Sequence, residues 1–186
     1  ELPYGIAPSV LAVLGLTNYA PFISHTANVT RNIATPQKGS TNACLALTGL
    51  ATACQPTSDF TADYAMNAVH ATGAGTTLAI VTLAALDPGA PQYFWQNIAH
   101  VPASNRTLKV TNVDGGPGAP SDVSGSGETD LDVEQSGSIA SSANVIVYQA
   151  PNTDAGFADS FFDAASQNTA DSISASRSTR SAASAQ

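Results

Sequence analysis

Two carboxylates four residues apart, Glu128 and Asp132, lie in the segment Glu128-Thr129-Asp130-Leu131-Asp132, for which the sequence predicts a helix. Side chains at positions i and i+4 share one helix face, with Cβ atoms roughly 5–6 Å apart. Two like charges at that separation repel unless they share a proton, which raises the pKa of one carboxyl group. Such a group is a candidate general base or acid, although a bare pair of this spacing more often marks a solvated helix face.

The residues around this pair resemble the sedolisin family of serine-carboxyl peptidases, in its bacterial, acid-acting branch. The matching features are E-x-x-L-D at residues 128–132, a hydrophobic strand at 143–148 (ANVIVY) and the segment APNTDAGF at 150–157. The resemblance implies that Glu128 is the base for a serine nucleophile and that Asp132 is hydrogen-bonded behind it. Asp130 and Glu134 fall on the opposite side of the helix, where we expect them to be solvated.

The rest of the family's site does not occur in this sequence. The nucleophilic Ser of an S-G-T-S motif and the oxyanion Asp come later in the family, and its calcium site is expected in the same C-terminal part. The resemblance therefore implies a polypeptide substrate, a partner in the C-terminal half of the same peptidase, and no cofactor in this chain. We expect the chain alone to be inactive.

Two alternatives follow from the same residues. The chain could be a catalytically inactive fragment or α/β binding remnant of the family, since Arg177 and Ser178 stand where the family has a Trp-Gly pair. A glycosidase could also use paired carboxylates. Glycosidase carboxylates face each other across a cleft, however, and adjacency on one helix counts against that hypothesis.

Strand-like and helix-like segments alternate along the chain. Strands are predicted at 76–83, 108–113, 143–148 and 170–176, and helices at 61–71, 91–101, around Glu128, and at 154–166. Such alternation predicts an α/β domain in which a parallel sheet has flanking helices and right-handed crossovers. The family resemblance sharpens this prediction to a partial subtilisin-like fold.

The chain divides into four predicted segments. Residues 1–26 resemble the C-terminal end of a propeptide, and residues 27–56 are a linker that contains a cysteine loop. Residues 57–176 form the N-terminal part of the peptidase catalytic domain, and residues 177–186 are a polar, low-complexity tail that we expect to be disordered.

Composition limits the partners and the compartment. Only 11% of the residues are charged and the net charge is −8, with six Lys plus Arg, so no basic stripe exists for nucleic-acid binding. The longest apolar run, residues 78–86, is far shorter than the roughly 20 residues of a membrane span. Cys44 and Cys54 predict a local disulfide in an oxidising compartment, the alternative being two buried thiols. Together with the resemblance, these features predict a secreted protein.

Other residues with possible chemistry have structural explanations. The three histidines lack partner spacing and are expected to be structural: His25, His70 and His100. Tyr93, Phe94 and Trp95 could stack on a carbohydrate, but their helical spacing favours a role in the core. In the next helix, Asp154 is predicted to cap the N-terminus. Three phenylalanines have core spacing there: Phe157, Phe161 and Phe162.

Overall fold

The computed structural model describes residues 22–23, 57, 61, 64–176 and 178–179. Six strands occur in this part of the chain: β1 (Phe22–Ile23), β2 (Thr77–Thr82), β3 (Leu108–Asn112), β4 (Asn144–Gln149), β5 (Ser172–Ala175) and β6 (Ser178–Thr179). Four of them form a parallel sheet in the order β3-β4-β2-β5, and β1 pairs antiparallel with β6. The predicted α/β class, a parallel sheet with flanking helices, is confirmed.

The two central strands are buried on both faces. Ala79, Ile80 and Val81 of β2 are buried in succession, as are Val147, Tyr148 and Gln149 of β4. Ile80 lies opposite Val147 in the register of the two strands. A continuous apolar run of this kind is typical of parallel strands, because helices cover the sheet on both sides.

Among the described residues, three helices with defined bounds cover the sheet: α1 (Ala90–Asn97), α2 (Ser126–Ile139) and α3 (Asp154–Gln167). Successive strand residues point to opposite faces and so separate two core clusters. One cluster contains Ile80, Leu86, Trp95, Val133, Val145 and Val147, and the other contains Ala79, Val81, Tyr148 and Ala164. α1 and α2 therefore share one face of the sheet, and α3 lies on the other.

The crossover through α2 differs in hand from the other two. The chain moves across the sheet in one direction from β2 to β3, and in the opposite direction from β3 to β4 and from β4 to β5. α1 and α2 nevertheless lie on the same face, and α3 lies on the other. The three connections therefore cannot all have the same hand, although right-handed connections are strongly preferred. The prediction of right-handed crossovers is wrong for at least one of them.

α3 packs on the sheet through small residues. Its buried positions are Gly156, Ser160 and Ala164, spaced four residues apart, and a Cβ at Gly156 would overlap the carbonyl oxygen of Pro151. Phe161 and Phe162 lie off this stripe and are 40% and 56% exposed. Their predicted role in the core is therefore wrong, whereas Phe157, beside the stripe, packs against the core cluster as predicted.

The N-cap of α3 is Thr153 rather than the predicted Asp154. Thr153 has an extended backbone, and its hydroxyl oxygen accepts a hydrogen bond from the Gly156 amide at 2.9 Å. Asp154 instead occupies the first turn of the helix, where a negative charge is favourable near the helix N-terminus.

Two predicted helices have different bounds in the structure. In the described part of the predicted helix 61–71, residues 64–71 contain only a 3-10 turn, Met66–Ala68, because Ala65 has a left-handed backbone with φ of 53°. The predicted helix 91–101 ends at Asn97. His100 adopts a left-handed conformation (φ 48°), and the Val101 amide donates to the Trp95 carbonyl at 2.8 Å, which closes the last turn.

Several predictions lie outside the described residues. These are the linker at 27–56, the Cys44–Cys54 disulfide, most of the predicted propeptide end and most of the tail. Across the part of the chain that the structure describes, no helix has the length and apolar character required to cross a membrane.

Candidate functional site

The first turns of α2 lie at the carboxyl edge of the sheet. α2 leads into the amino end of β4, so it runs antiparallel to the strands and begins where they end. β2 ends there at Thr82, β4 at Gln149 and β5 at Ala175. In open α/β sheets, ligands bind in the crevice outside the carboxyl ends of the strands, so this is the expected position of a site.

A ring of hydroxyl hydrogen bonds fixes α2 on the end of β2. Thr129 is 1% exposed, and its hydroxyl donates to the carbonyl oxygen of Ala84 at 3.2 Å. Because the Thr129 hydroxyl donates its one proton to Ala84, the Thr82 hydroxyl must be the donor in the 2.6 Å hydrogen bond between the two threonines. The Ala84 amide in turn donates to Thr82 at 3.3 Å. Every polar atom of this buried contact has a partner, which holds the helix start in one position.

Gln149, the last residue of β4, connects the loops at the same edge. Its side-chain oxygen accepts from the Leu86 amide at 3.0 Å, and its side-chain nitrogen donates to Asn112 at 2.6 Å. The side chain is almost fully buried. The loop after β2 and the end of β3 are therefore held against the central strand.

Glu128 and Asp132 lie on the flank of α2 that faces the end of β5. Both are half-buried, and an Asp132 carboxylate oxygen accepts from the hydroxyl of Ser176 at 2.9 Å. Burial raises the pKa of Asp132, the Ser176 hydrogen bond partly offsets this, and the charge of Glu128 raises it further. The predicted rise of one pKa within the pair therefore falls on Asp132.

Asp130 and Glu134 lie on the other flank, and the expectation that they are solvated is wrong. Both are half-buried. An Asp130 carboxylate oxygen accepts from the Asp87 amide at 2.9 Å. Burial and the charge of Asp130 raise the pKa of Glu134 from its ordinary 4.5 to about 7. The reason is that α1 packs along this flank, where the Trp95 indole donates to the Glu134 carbonyl at 3.0 Å.

The remaining candidates occupy other positions. Trp95 is 3% exposed in the core and Phe94 packs against it, whereas Tyr93 is 53% exposed. His70 and His100 are exposed, and His25 lies outside the described residues. No group of three His, Cys, Asp or Glu side chains within the described ranges is placed to hold a metal ion.

Three residues that position the carboxylates were not identified from the sequence: Thr129, Asp87 and Ser176. Thr129 begins the buried series Thr129, Val133 and Gly137, whose spacing of four residues was the available signal. Ser176 directly follows β5, and its contact with Asp132 spans 44 residues of the chain. No local pattern could have predicted that contact.

A scan of the chain against protein-family models finds no match, and a search of curated proteins finds no significant match. The relationship to the sedolisin family therefore stays a prediction that rests on the residues from Glu128 to Phe157.

Proposed function

We propose that this chain supplies the carboxylate half of the active site of a secreted, acid-acting serine-type endopeptidase similar to the sedolisins. The observation that carries the proposal is the placement of Glu128 and Asp132. They share one flank of α2 at the carboxyl edge of the sheet, where the burial of Asp132 raises its pKa. The family resemblance assigns the base to Glu128 and its partner to Asp132.

The raised pKa of Asp132 has a role in the proposed mechanism. Burial raises the pKa of Asp132, which favours its protonated form relative to an ordinary aspartate. A protonated Asp132 carries no charge to repel Glu128 and can donate a hydrogen bond to it. Glu128 then accepts the serine hydroxyl proton during attack on a peptide carbonyl and returns it to the leaving amine. A histidine base would be protonated and inactive under these conditions.

The serine and the oxyanion group come, in this proposal, from the C-terminal half of the same peptidase. The position of β5 supports such a partner. Among the described strands it pairs only with β2, so its outer edge can accept another strand. Ser176 follows this edge strand directly, which would place the added segment beside Asp132.

The pairing of β1 with β6 is compatible with the predicted propeptide. β1 lies in the segment 1–26, and Ile23 lies opposite Ser178, two residues after Ser176. Two residues of extended chain span at most about 7 Å. β1 therefore lies near the carboxyl edge, and in this proposal the removal of a propeptide that ends there opens access to Glu128 and Asp132.

The two alternatives make different predictions. An inactive remnant keeps the sheet but gains no activity when the C-terminal half is supplied. A glycosidase needs a second carboxyl group across a cleft, whereas the described partner of Asp132 towards β5 is the hydroxyl of Ser176. Because Glu128 and Asp132 lie side by side on one flank of α2 and not across a cleft, the geometry favours the peptidase proposal over the glycosidase.

The test is to determine the intact mass of native material under denaturing and non-denaturing conditions, beside a peptide-hydrolysis assay at about pH 4. We expect a second polypeptide that carries the nucleophilic serine, and activity only when both are present. Glu128→Gln should reduce kcat at least about 1,000-fold. Asp130→Asn, which removes a charge from the same helix on the other flank, is the matched control and should keep most of the activity. A chain that remains alone and inert would support the inactive remnant.

A further inference from the structure

A cavity of about 280 Å³ lies at the amino edge of the sheet, away from the carboxylates. α1, from Gln92 to Gln96, and the segment leading into β3 form its walls. Gln92, Gln96 and Ser104 supply polar groups to the lining, and Arg106 supplies the only charged side chain among them. Arg106 contacts Gly137, nine residues after Glu128 on α2, so about 13 Å of helix separates the cavity from the candidate active site.

The described partners of Arg106 are both neutral. Its guanidinium carbon lies 3.4 Å from the centroid of the Trp95 ring, and one of its nitrogens donates to the carbonyl oxygen of Gly137. The side chain is half-buried, and burial lowers the pKa of the guanidinium. A guanidinium has five N–H donors, and a single carbonyl oxygen uses only one or two of them. Among the described residues no acceptor takes up the remaining donors, which can therefore bind a ligand in the cavity.

The chemistry of the lining selects the kind of ligand. A planar guanidinium forms two parallel hydrogen bonds with a carboxylate, and its single positive charge matches a monoanion. Trp95, Val101 and Leu108 add apolar surface for a short hydrocarbon chain. The volume is slightly below that of typical drug-sized pockets, which suits a ligand about as large as one amino-acid residue.

We propose that this cavity binds the carboxylate of a small apolar acid, such as the last residue of a peptide or a free acid of similar size. Arg106 holds the carboxylate, the two glutamines contact its polar groups, and the apolar wall takes its side chain. The proposal does not depend on the peptidase function, since none of these residues belongs to the carboxyl edge.

Trp95 is the only tryptophan of the chain, so its fluorescence reports directly on the cavity. The full chain is titrated at pH 7 with N-acetyl-leucine, with its amide N-acetyl-leucinamide, and with acetyl-Ala-Ala-Leu. We expect a saturable change with the acid and at least about tenfold weaker binding of the amide. Binding of the tripeptide acid would identify a peptide terminus as the ligand, and its exclusion would identify a free acid.

Two variants and one control variant test the proposal. Arg106→Lys retains the charge but loses the planar pair of donors, and it should weaken acid binding about tenfold. Gln92→Glu adds a negative charge at an exposed position of the lining and should also weaken binding, whereas Asn97→Asp adds the same charge to α1 outside the lining and should have little effect. Equal responses to acid and amide, or no saturable response in folded protein, would overturn the proposal.

Discussion

The two flanks of α2 carry similar side chains in different surroundings. Each flank has a pair of carboxylates at positions i and i+4, Glu128 with Asp132 and Asp130 with Glu134. Burial raises the pKa of the second member of each pair. The first pair faces the end of β5 and the hydroxyl of Ser176, and the second lies along α1. A raised pKa alone therefore does not identify a catalytic carboxylate, because helix packing produces the same shift.

The largest expected effect concerns the packing of α1 on α2. A Cβ at Gly137 would overlap the Trp95 ring, whereas a Cβ at Gly127 meets nothing within 4 Å. Gly137→Ala should therefore lower the free energy of unfolding by about 2 kcal/mol. Gly127→Ala, the matched control on the same helix, should raise it by up to about 1 kcal/mol because alanine favours helix. Urea denaturation measures both, and equal effects would show that α1 does not pack closely here.

An intermediate effect is expected from Glu134. A carboxyl group with a folded-state pKa of about 7 binds more protons when folded than when unfolded between pH 4.5 and 7. The free energy of unfolding therefore falls as pH rises through this range. Glu134→Gln should remove the part of this dependence that Glu134 contributes and leave the part from Asp132. It should stabilise the protein at pH 7 by about 1 kcal/mol, a figure reduced for the partial exposure of Glu134.

Asp130→Asn sharpens the Glu134 prediction. This variant removes the charge of Asp130, which is the second cause of the raised pKa of Glu134 after burial. The pKa of Glu134 should therefore fall but stay above its ordinary value, because the burial remains. Thermal denaturation from pH 4.5 to 8 compares the two variants with the parent chain. A parent protein whose melting temperature does not fall between pH 5 and 7 would contradict the assignment.

The smallest effect is expected at Ser176. Its hydrogen bond opposes the rise in the pKa of Asp132, so Ser176→Ala should raise that pKa further. Stability should change by less than about 0.5 kcal/mol, because Ser176 is exposed. Carboxyl-carbon NMR titration measures the change, with Ser174→Ala as the control on β5. An unchanged Asp132 titration would show that the hydrogen bond does not form in solution.

Both raised pKa values act in the same direction on stability. Both groups are protonated more readily in the folded state than in the unfolded state, so protonation of Asp132 and Glu134 favours the folded state as the pH falls. A protein with this property suits an acidic compartment, which is consistent with the proposed peptidase. Glu134 contributes to this pH dependence of stability, although it lies on the flank of α2 that takes no part in the proposed mechanism.

Local patterns predicted the elements of the sheet well and their edges less well. The apolar run at 76–83 became β2, and the run at 143–148 became β4 with a shift of one residue at each end. Errors occurred where one residue adopted a left-handed backbone, as at Ala65 and His100. A further error was the assignment of Phe161 and Phe162 to the core, since both side chains are exposed.

The sequence by itself determined the α/β class, because alternating apolar runs and helical patterns are local properties of the chain. It also determined that two carboxylate pairs lie on opposite flanks of one helix, since helical geometry fixes that spacing. Only the tertiary structure decided which groups these flanks meet. The position of α2 on the sheet brings one flank to Ser176 and the other to Trp95, and contacts across 39 to 44 residues depend on the packing of the whole sheet.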